Sequence, residues 1–296
     1  MTFVDFVKEE RLGDLVFDEY FKNLTTIGVG GKIKVLFYPN DIDSLRKAFK
    51  FVNDNCLEYF ILGNGSNILA SDHEYNGIVF YLKNIKYNYE LVNDNILYAS
   101  AFYPSNKLAV DLMNQGVGDL SCLAGIPGLL GGAIYNNSGS YNDNIGNYIY
   151  SVEYIDTLGN IKEINNNMCA FGYRRSVFKF IEGIIIGAKL HVKKEDTKAK
   201  LNRNIKMRLE SQPVKSKSMG SIFKNNPLIP SWKIIDSLGL RGFQIGDAAI
   251  SQKHSNFIIN LGNAKASDIK SLIELIETRS RLELGIRLVK EIEYIN

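Results

Sequence analysis

Two glycine-rich segments constrain this chain more than any other feature. The first reads Leu62-Gly-Asn-Gly-Ser-Asn-Ile-Leu69, the second Gly125-Ile-Pro-Gly-Leu-Leu-Gly-Gly-Ala-Ile-Tyr-Asn-Asn-Ser-Gly139. Glycine has no Cβ, so it takes positive φ without steric cost and lets successive backbone N–H groups converge on phosphate oxygens. Two such segments point to one large phosphate-bearing cofactor. Taken singly, each is also compatible with an ordinary turn, because glycines between elements more often mark turns than ligand sites.

Composition narrows the classes. With 296 residues, 45% apolar and 11% aromatic, the chain can supply the cores of two or three domains. Its formal charge of +3 comes from nearly balanced acids and bases. No long basic block carries interleaved aromatic residues, so nucleic acid is not an expected partner. The densest basic stretch, Lys193 to Arg208, also holds Glu195 and Asp196 and reads as a solvated linker or helix face. Cys56, Cys122 and Cys169 have neither Cys-x-x-Cys nor Cys/His ligand spacing. They are expected to be reduced and buried, with no metal site. Acids interrupt the first eleven residues and no stretch is long enough to span a bilayer, which predicts a cytoplasmic protein without membrane insertion.

Ile33 to Tyr38 is a β-rich run closed by Pro39. Asp41 can cap a following helix whose Leu45, Ala48, Phe49 and Val52 share one face. With a second strand at Tyr59 to Leu62, this reads as a βαβ unit with Gly63 to Asn67 at its carboxyl end, where open α/β sheets bind ligands. From Gly77 to His191 the pattern changes to short β pieces (Ile78 to Leu82, Ile96 to Ser100, Val152 to Asp156, Gly183 to Val192) and one helix carrying Ala109, Leu112 and Met113. That texture is α+β. Beyond Ser211, Ile269, Leu272, Ile273 and Ile276 predict a helix that Gly285 ends, before a strand-like tail.

The first glycine segment is not a Rossmann fingerprint, because Gly63-Asn-Gly65-Ser-Asn-Ile68 lacks a third glycine and no apolar helical period follows it. No Walker A motif is present. Six separate segments instead resemble the UDP-N-acetylenolpyruvoylglucosamine reductase family. They are Thr25 to Gly31, Gly63 to Leu69, Gly125 to Gly139, Tyr173-Arg-Arg-Ser176, Gly220-Ser-Ile-Phe-Lys-Asn225, and Gly246 to Asn260 with its Ser251-Gln-Lys-His-Ser-Asn-Phe257. The resemblance runs almost end to end and favours the shorter family type, which lacks an extra tyrosine-bearing loop. It implies an α+β architecture: a two-subdomain FAD-binding fold of the vanillyl-alcohol-oxidase type plus a separate α+β substrate-binding domain. The implied divisions are 1–75 and 76–195 for the FAD-binding subdomains, 196–285 for the substrate domain, and 286–296 for a strand returning to the active site.

The resemblance also implies non-covalent FAD, held by Gly63, Asn64, Gly65, Ser66, Asn67, Ile68 and Leu69 and by Gly125, Ile126, Pro127, Gly128, Gly131, Gly132 and Ala133. His73, just beyond the first segment, is not expected to link the flavin. The implied reaction moves hydride from NADPH to FAD and from flavin N5 to the methylene carbon of UDP-N-acetylglucosamine-enolpyruvate. The product is UDP-N-acetylmuramate, a peptidoglycan precursor. Negative charge then grows on the neighbouring carbon and its carboxylate, which calls for positive potential and a proton. By motif match Arg174 supplies the first, a permanently charged fork suited to a carboxylate, and Ser221 supplies the second. Glu291 matches the family's final glutamate, although Leu288-Val-Lys-Glu291 stands where the family has Leu-Glu-Pro-Glu. Glu293, two residues on, faces the same side of a strand, but Glu291 fits the count from Gly285. Tyr173, Lys224 and Asn225 are the implied substrate contacts, with Lys224-Asn-Asn-Pro227 replacing the family's Lys-Asn-Pro. His254 reads as a structural hydrogen-bonding residue. The partners are small molecules and the chain is expected to be a monomer. Competing readings are an FAD-dependent oxidase of a small alcohol or phenol, and a non-catalytic nucleotide-binding module.

Overall fold

In the computed structural model Asp41 accepts the Ser44 N–H at 2.8 Å and caps the helix Ile42–Asp54. The face predicted from sequence, Leu45, Ala48, Phe49 and Val52, is buried against Phe37 and Phe80. Burying each of the leucine, phenylalanine and valine side chains contributes about 1.5–3 kcal/mol relative to exposure. The structure describes residues 1–226 and 228–296, so the altered turn at Pro227 lies outside the described residues. The chain divides into two units, one of Met1–Phe17, Val35–Gly63 and Gly77–Lys206, the other of Asp18–Lys34, Asn64–Asn76 and Met207–Asn296.

The first unit holds two larger sheets and the small pair Gly139–Ser140 with Asp143–Asn144. One has the order Gly13–Val16, Lys32–Pro39, Tyr75–Tyr81, Tyr59–Leu62. The expected strand, helix and strand all form, but Tyr59–Leu62 pairs in parallel with Tyr75–Tyr81, which lies between it and Lys32–Pro39. Val79 and Phe80 are completely buried, and a strand apolar on both faces takes an interior position. The other sheet is antiparallel, in the order Ile161–Asn165, Ile149–Asp156, Gly183–His191, Ile96–Ser100, Tyr89–Asn93. The helix Ser105–Gln115 buries Leu108, Ala109 and Leu112 and ends at Gly116, whose φ of 67° suits a residue without a Cβ. The basic stretch forms the helix Lys198–Ser211 with Leu201 and Asn204 buried. Cys122 and Cys169 are buried free thiols, but Cys56, expected to be buried, is exposed. It lies at φ 50° in the turn after the helix Ile42–Asp54.

The second unit is built on a four-stranded antiparallel sheet ordered Lys217–Ser218, Ile258–Asn260, Ala248–Ile250, Gln244–Ile245. The helix Ala266–Leu284 buries Ile269, Leu272, Ile273 and Ile276, the face its periodicity predicts, and Gly285 ends it at φ 67°. Its start is capped from far away in sequence: Asp72 accepts the Ala266 N–H at 2.8 Å and the Ser267 N–H at 3.0 Å. Ile27 and Val29 join this core. The tail strand Glu293–Ile295 pairs in parallel with Ile68–Ala70. Each unit therefore combines helices with mostly antiparallel pairing rather than a regular βαβ repeat, and the chain is α+β.

Candidate active site

The unit boundary falls between Gly63 and Asn64, so the predicted site residues are divided between the two units. In the first unit, Gly125 and Gly128 take φ values of 70° and 149°. The buried start of the helix Ser105–Gln115 holds this segment. The Ser105 N–H donates to the Gly128 carbonyl at 2.9 Å, and Ser105 Oγ donates to the carbonyls of Ile126 and Gly128 at 3.3 and 3.2 Å. Leu130 and Gly131 donate their N–H groups to the carbonyls of Tyr103 and Ala101, both at 2.8 Å. A Cβ on Gly131 would sit 3.1 Å from the Ala101 Cβ, so glycine here allows close packing. At Gly132 an added Cβ would meet nothing within 4 Å, so the helix Leu130–Tyr135 faces open space there. Gly63 lies beside the same segment, its Cβ position 3.5 Å from the Leu129 side chain.

Arg174 occupies a tight turn closed by Gly172 N–H to Arg175 carbonyl at 3.0 Å and the reverse bond at 3.1 Å. Its own φ is 52°, a left-handed value that costs a non-glycine residue energy and persists only where the surrounding structure holds it. Arg174 Nη2 donates to the Gly139 carbonyl at 3.0 Å, and its guanidinium carbon lies 5.3 Å from the centre of the exposed Tyr173 ring. Arg175 instead covers the Phe180 ring.

In the second unit the remaining members of the first glycine segment lie beside the tail. Gly65 takes φ 60°, where a Cβ would lie 2.5 Å from the Leu24 carbonyl oxygen, and its own carbonyl accepts the Thr26 N–H at 3.0 Å. Asn67 Nδ2 donates to the Glu291 carbonyl at 3.1 Å, and the Glu293 N–H donates to the Asn67 carbonyl at 3.0 Å. The Glu291 N–H in turn reaches the carbonyl of Ile222, the residue after Ser221, at 2.8 Å. Gly220 turns the chain into Ser221 at φ 82°, with the Ser66 carbonyl oxygen 3.9 Å from its Cβ position. Asn256 fixes this segment: its Oδ1 accepts the Phe223 N–H at 3.0 Å and its Nδ2 donates to the Phe223 carbonyl at 2.8 Å. Ser221, Glu291 and the Asn64–Leu69 segment are thus brought together. Glu293 belongs to the strand paired with Ile68–Ala70, whereas Glu291 is the acid whose backbone is bonded beside Ser221.

Lys224 is tied to the tail through its N–H to the Val289 carbonyl at 2.8 Å, and Asn225 Oδ1 accepts the Ser231 N–H at 3.2 Å. His254 packs against Trp232 and Phe257, and its Nδ1 is buried without a hydrogen-bond partner. Burial, helped by the nearby Arg241 charge, holds its imidazole below the ordinary value. Its backbone N–H donates to Ser251 Oγ at 3.4 Å and its carbonyl accepts the Phe257 N–H at 3.0 Å. Sequence reading missed Asn137, Asn256 and Asp72, which orient the segments through distant backbone groups. The Asn136-Asn137 pair near the end of the second glycine segment is the one local signal, since asparagine tolerates positive φ.

Both glycine segments offer backbone amides, a serine hydroxyl and asparagine amides, with no acidic side chain between Gly63 and Leu69 or between Gly125 and Gly139. Positive-φ glycines, the open space at Gly132 and this acid-free donor set fit a diphosphate-bearing cofactor. Residues 33–165 match the family model described as an FAD binding domain, which makes the molecule a flavoprotein of the FAD-binding α+β class. Residues 212–295 match the model for the C-terminal domain of UDP-N-acetylenolpyruvoylglucosamine reductase. Similar proteins of that name include those of Halalkalibacterium halodurans, 32% identical over 99% of this chain and 98% of the relative, and Thermotoga petrophila, 37% identical over 91% and 94%. The crystal structure of the Thermus caldophilus reductase is similar with a TM-score of 0.79 at 29% identity, covering 96% of this chain and 99% of that one. The chain belongs to the UDP-N-acetylenolpyruvoylglucosamine reductase family.

Among the described residues no cluster of three His, Cys, Asp or Glu side chains could hold a metal ion, and no helix is long and apolar enough to cross a membrane.

Proposed function

We propose that this chain is an NADPH-dependent, FAD-containing oxidoreductase that reduces the enolpyruvyl ether of UDP-N-acetylglucosamine-enolpyruvate to UDP-N-acetylmuramate for peptidoglycan synthesis. The observation that carries the reading is the joining of three distant segments: Asn67 donates to the Glu291 carbonyl, and Glu291 donates to the carbonyl after Ser221. Bound FAD supplies the relay that brings the hydride of NADPH to the substrate's methylene carbon. Gly63–Leu69 and Gly125–Ala133 hold the cofactor through backbone amides and glycines that admit its diphosphate. In this reading residues 1–75 and 76–195 carry the cofactor, 196–285 the sugar nucleotide, and 286–296 return the carboxylate to the site.

As hydride adds to the methylene carbon, the double-bond electron pair moves to the neighbouring carbon and into its carboxylate. Arg174 holds that carboxylate with a charge-assisted fork and offsets the growing negative charge. Ser221 delivers a proton to the carbon that carries the pair, so the net change is one hydride and one proton added across the double bond. Glu291 stands beside the enolate and orients the proton donor. Tyr173, Lys224 and Asn225 contact the nucleotide part. The enzyme works as a monomer in the cytoplasm, a point that sedimentation of the purified protein and cell fractionation test directly.

The deciding experiment uses the yellow holoenzyme without oxygen. NADPH is expected to bleach the absorbance, and colour is expected to return only on adding the enolpyruvyl sugar nucleotide. Colour returning with oxygen after bleaching by a small alcohol or phenol would move the protein to the oxidase class. A colourless protein that cannot be reconstituted with FAD would remove both enzyme readings.

A further inference from the structure

We infer that Asn137 is the positioning residue that fixes the Arg174 guanidinium relative to the second glycine segment. The inference rests on the proposed role of Arg174. Asn137 stands at the end of the helix Leu130–Tyr135, which opens directly after Gly128 and Leu129, and its N–H donates to the Ile134 carbonyl at 3.0 Å. It is 3% exposed and takes φ 44°, an energetically costly conformation that the surrounding bonds maintain. Its side-chain amide is used at both ends. Nδ2 donates at 2.8 Å to the carbonyl of Gly172, the residue that opens the Arg174 turn, and Oδ1 accepts the Gly146 N–H at 2.9 Å.

The same carbonyl of Gly172 accepts the Arg175 N–H that closes the turn, so Asn137 grips the turn at its hinge. Two further bonds converge from the same short stretch of chain. Ser176 Oγ donates to the Tyr135 carbonyl at 2.7 Å on the far side of the turn, and Arg174 Nη2 donates to Gly139, two residues after Asn137. The arginine turn therefore carries no independent position: its backbone and its side chain are both tied to residues 135–139, and of the two buried side chains among those ties, Asn137 and Ser176, Asn137 is the one that holds the Gly172 carbonyl closing the turn. Oδ1 simultaneously anchors Gly146, where an added Cβ would lie 2.8 Å from that oxygen, so the amide is held from both sides and cannot rotate away. A displacement near 1 Å at a group that binds a reacting carboxylate costs on the order of 100-fold in rate.

The test uses the holoenzyme and two variants, Asn137→Gly, which keeps the left-handed backbone but removes the amide, and Asn137→Asp, which keeps the acceptor for Gly146 and loses the donor to Gly172. Both are followed by flavin absorbance, thermal midpoint, the rate of bleaching by NADPH, and the equilibrium binding and reoxidation rate with the enolpyruvyl sugar nucleotide. The expected result is unchanged bleaching with reoxidation slowed by roughly 10- to 100-fold and weaker substrate binding. In an Arg174→Ala background the Asn137 substitutions are expected to add almost nothing, because coupled residues are not additive. Slowing of the same size in both backgrounds, or equal loss in both half-reactions, would assign Asn137 to general stability and overturn the inference while leaving Arg174 in place. An Arg174→Ala enzyme that reoxidises at the normal rate would overturn the proposed role of Arg174 itself, and the inference with it.

Discussion

The two glycine segments have similar composition but are held in contrasting ways. Gly125–Gly128 is pinned by Ser105, whose hydroxyl bond to the Gly128 carbonyl spans 23 residues, within the first unit and between neighbouring elements. Asn64–Asn67 is pinned by the tail of the second unit, and its bond from Asn67 to Glu291 spans 224 residues. The first is a locally built loop whose anchors form as soon as the adjacent helix does. The second, though Thr26 also holds Gly65, has its Asn67 end bonded only when the last residues of the chain have docked, which couples the loop's shape to the placement of Ser221 and Glu291. Loop closure costs more entropy at longer range, though only slowly with length, so the second arrangement is a little more expensive and far more dependent on the completed fold.

Substitutions can break this comparison. Ser221→Ala, on the side built by long-range bonds, is expected to leave bleaching by NADPH intact and slow substrate-dependent reoxidation by about 100-fold or more, as stopped-flow absorbance reports. Full reoxidation rates in that variant would remove Ser221 from the proton step. Next in size, Gly65→Ala and Gly132→Ala should part company. The first forces a Cβ to 2.5 Å from the Leu24 carbonyl oxygen at positive φ and is expected to lose about 1–3 kcal/mol in denaturant unfolding. The second places its methyl in open space within a helix and should gain roughly 0.5–1 kcal/mol in the apoprotein while weakening FAD retention. Equal stability changes at the two glycines would erase the distinction between the loops.

A smaller effect is expected at Asp72, whose carboxylate caps the helix Ala266–Leu284. Asp72→Ala should cost about 1 kcal/mol, with faster amide exchange confined to that helix's first turn. The smallest concerns pH. Burial lowers the folded-state value of His254 below its ordinary 6.5, so the unfolded chain takes up the proton first as pH falls. The stability held by the neutral imidazole is therefore complete above about pH 6.5 and declines below it, at no more than about 1.4 kcal/mol per pH unit. His254→Gln should flatten the unfolding free energy between pH 7 and 5, and an unchanged slope would show that another group titrates there.

Much of the architecture could be read along the chain. The helix Ile42–Asp54 followed from Asp41 and four apolar residues on one face, and the helix Ala266–Leu284 followed from its isoleucine and leucine period and Gly285. Periodicity reports burial directly, because a regular element turns its apolar side chains to one side. The place of Tyr75–Tyr81 between two strands that precede it was not legible, since strand order depends on which partner covers both apolar faces. The exposure of Cys56 followed from a left-handed turn that composition does not signal.

The residues by themselves determined the chemical inventory: acid-free glycine segments, an arginine in an aromatic turn, a glycine-serine pair and a carboxylate in the tail. They did so because residue type fixes charge, proton donors and backbone freedom wherever the residue ends up. The count from Gly285 already favoured Glu291, but the tertiary structure alone decided that its backbone is bonded beside Ser221 and that Asn137 grips the Arg174 turn. Those choices rest on hydrogen bonds to the backbone carbonyls of Ile222 and Gly172, groups identical at every position of a chain and distinguished only by where folding puts them.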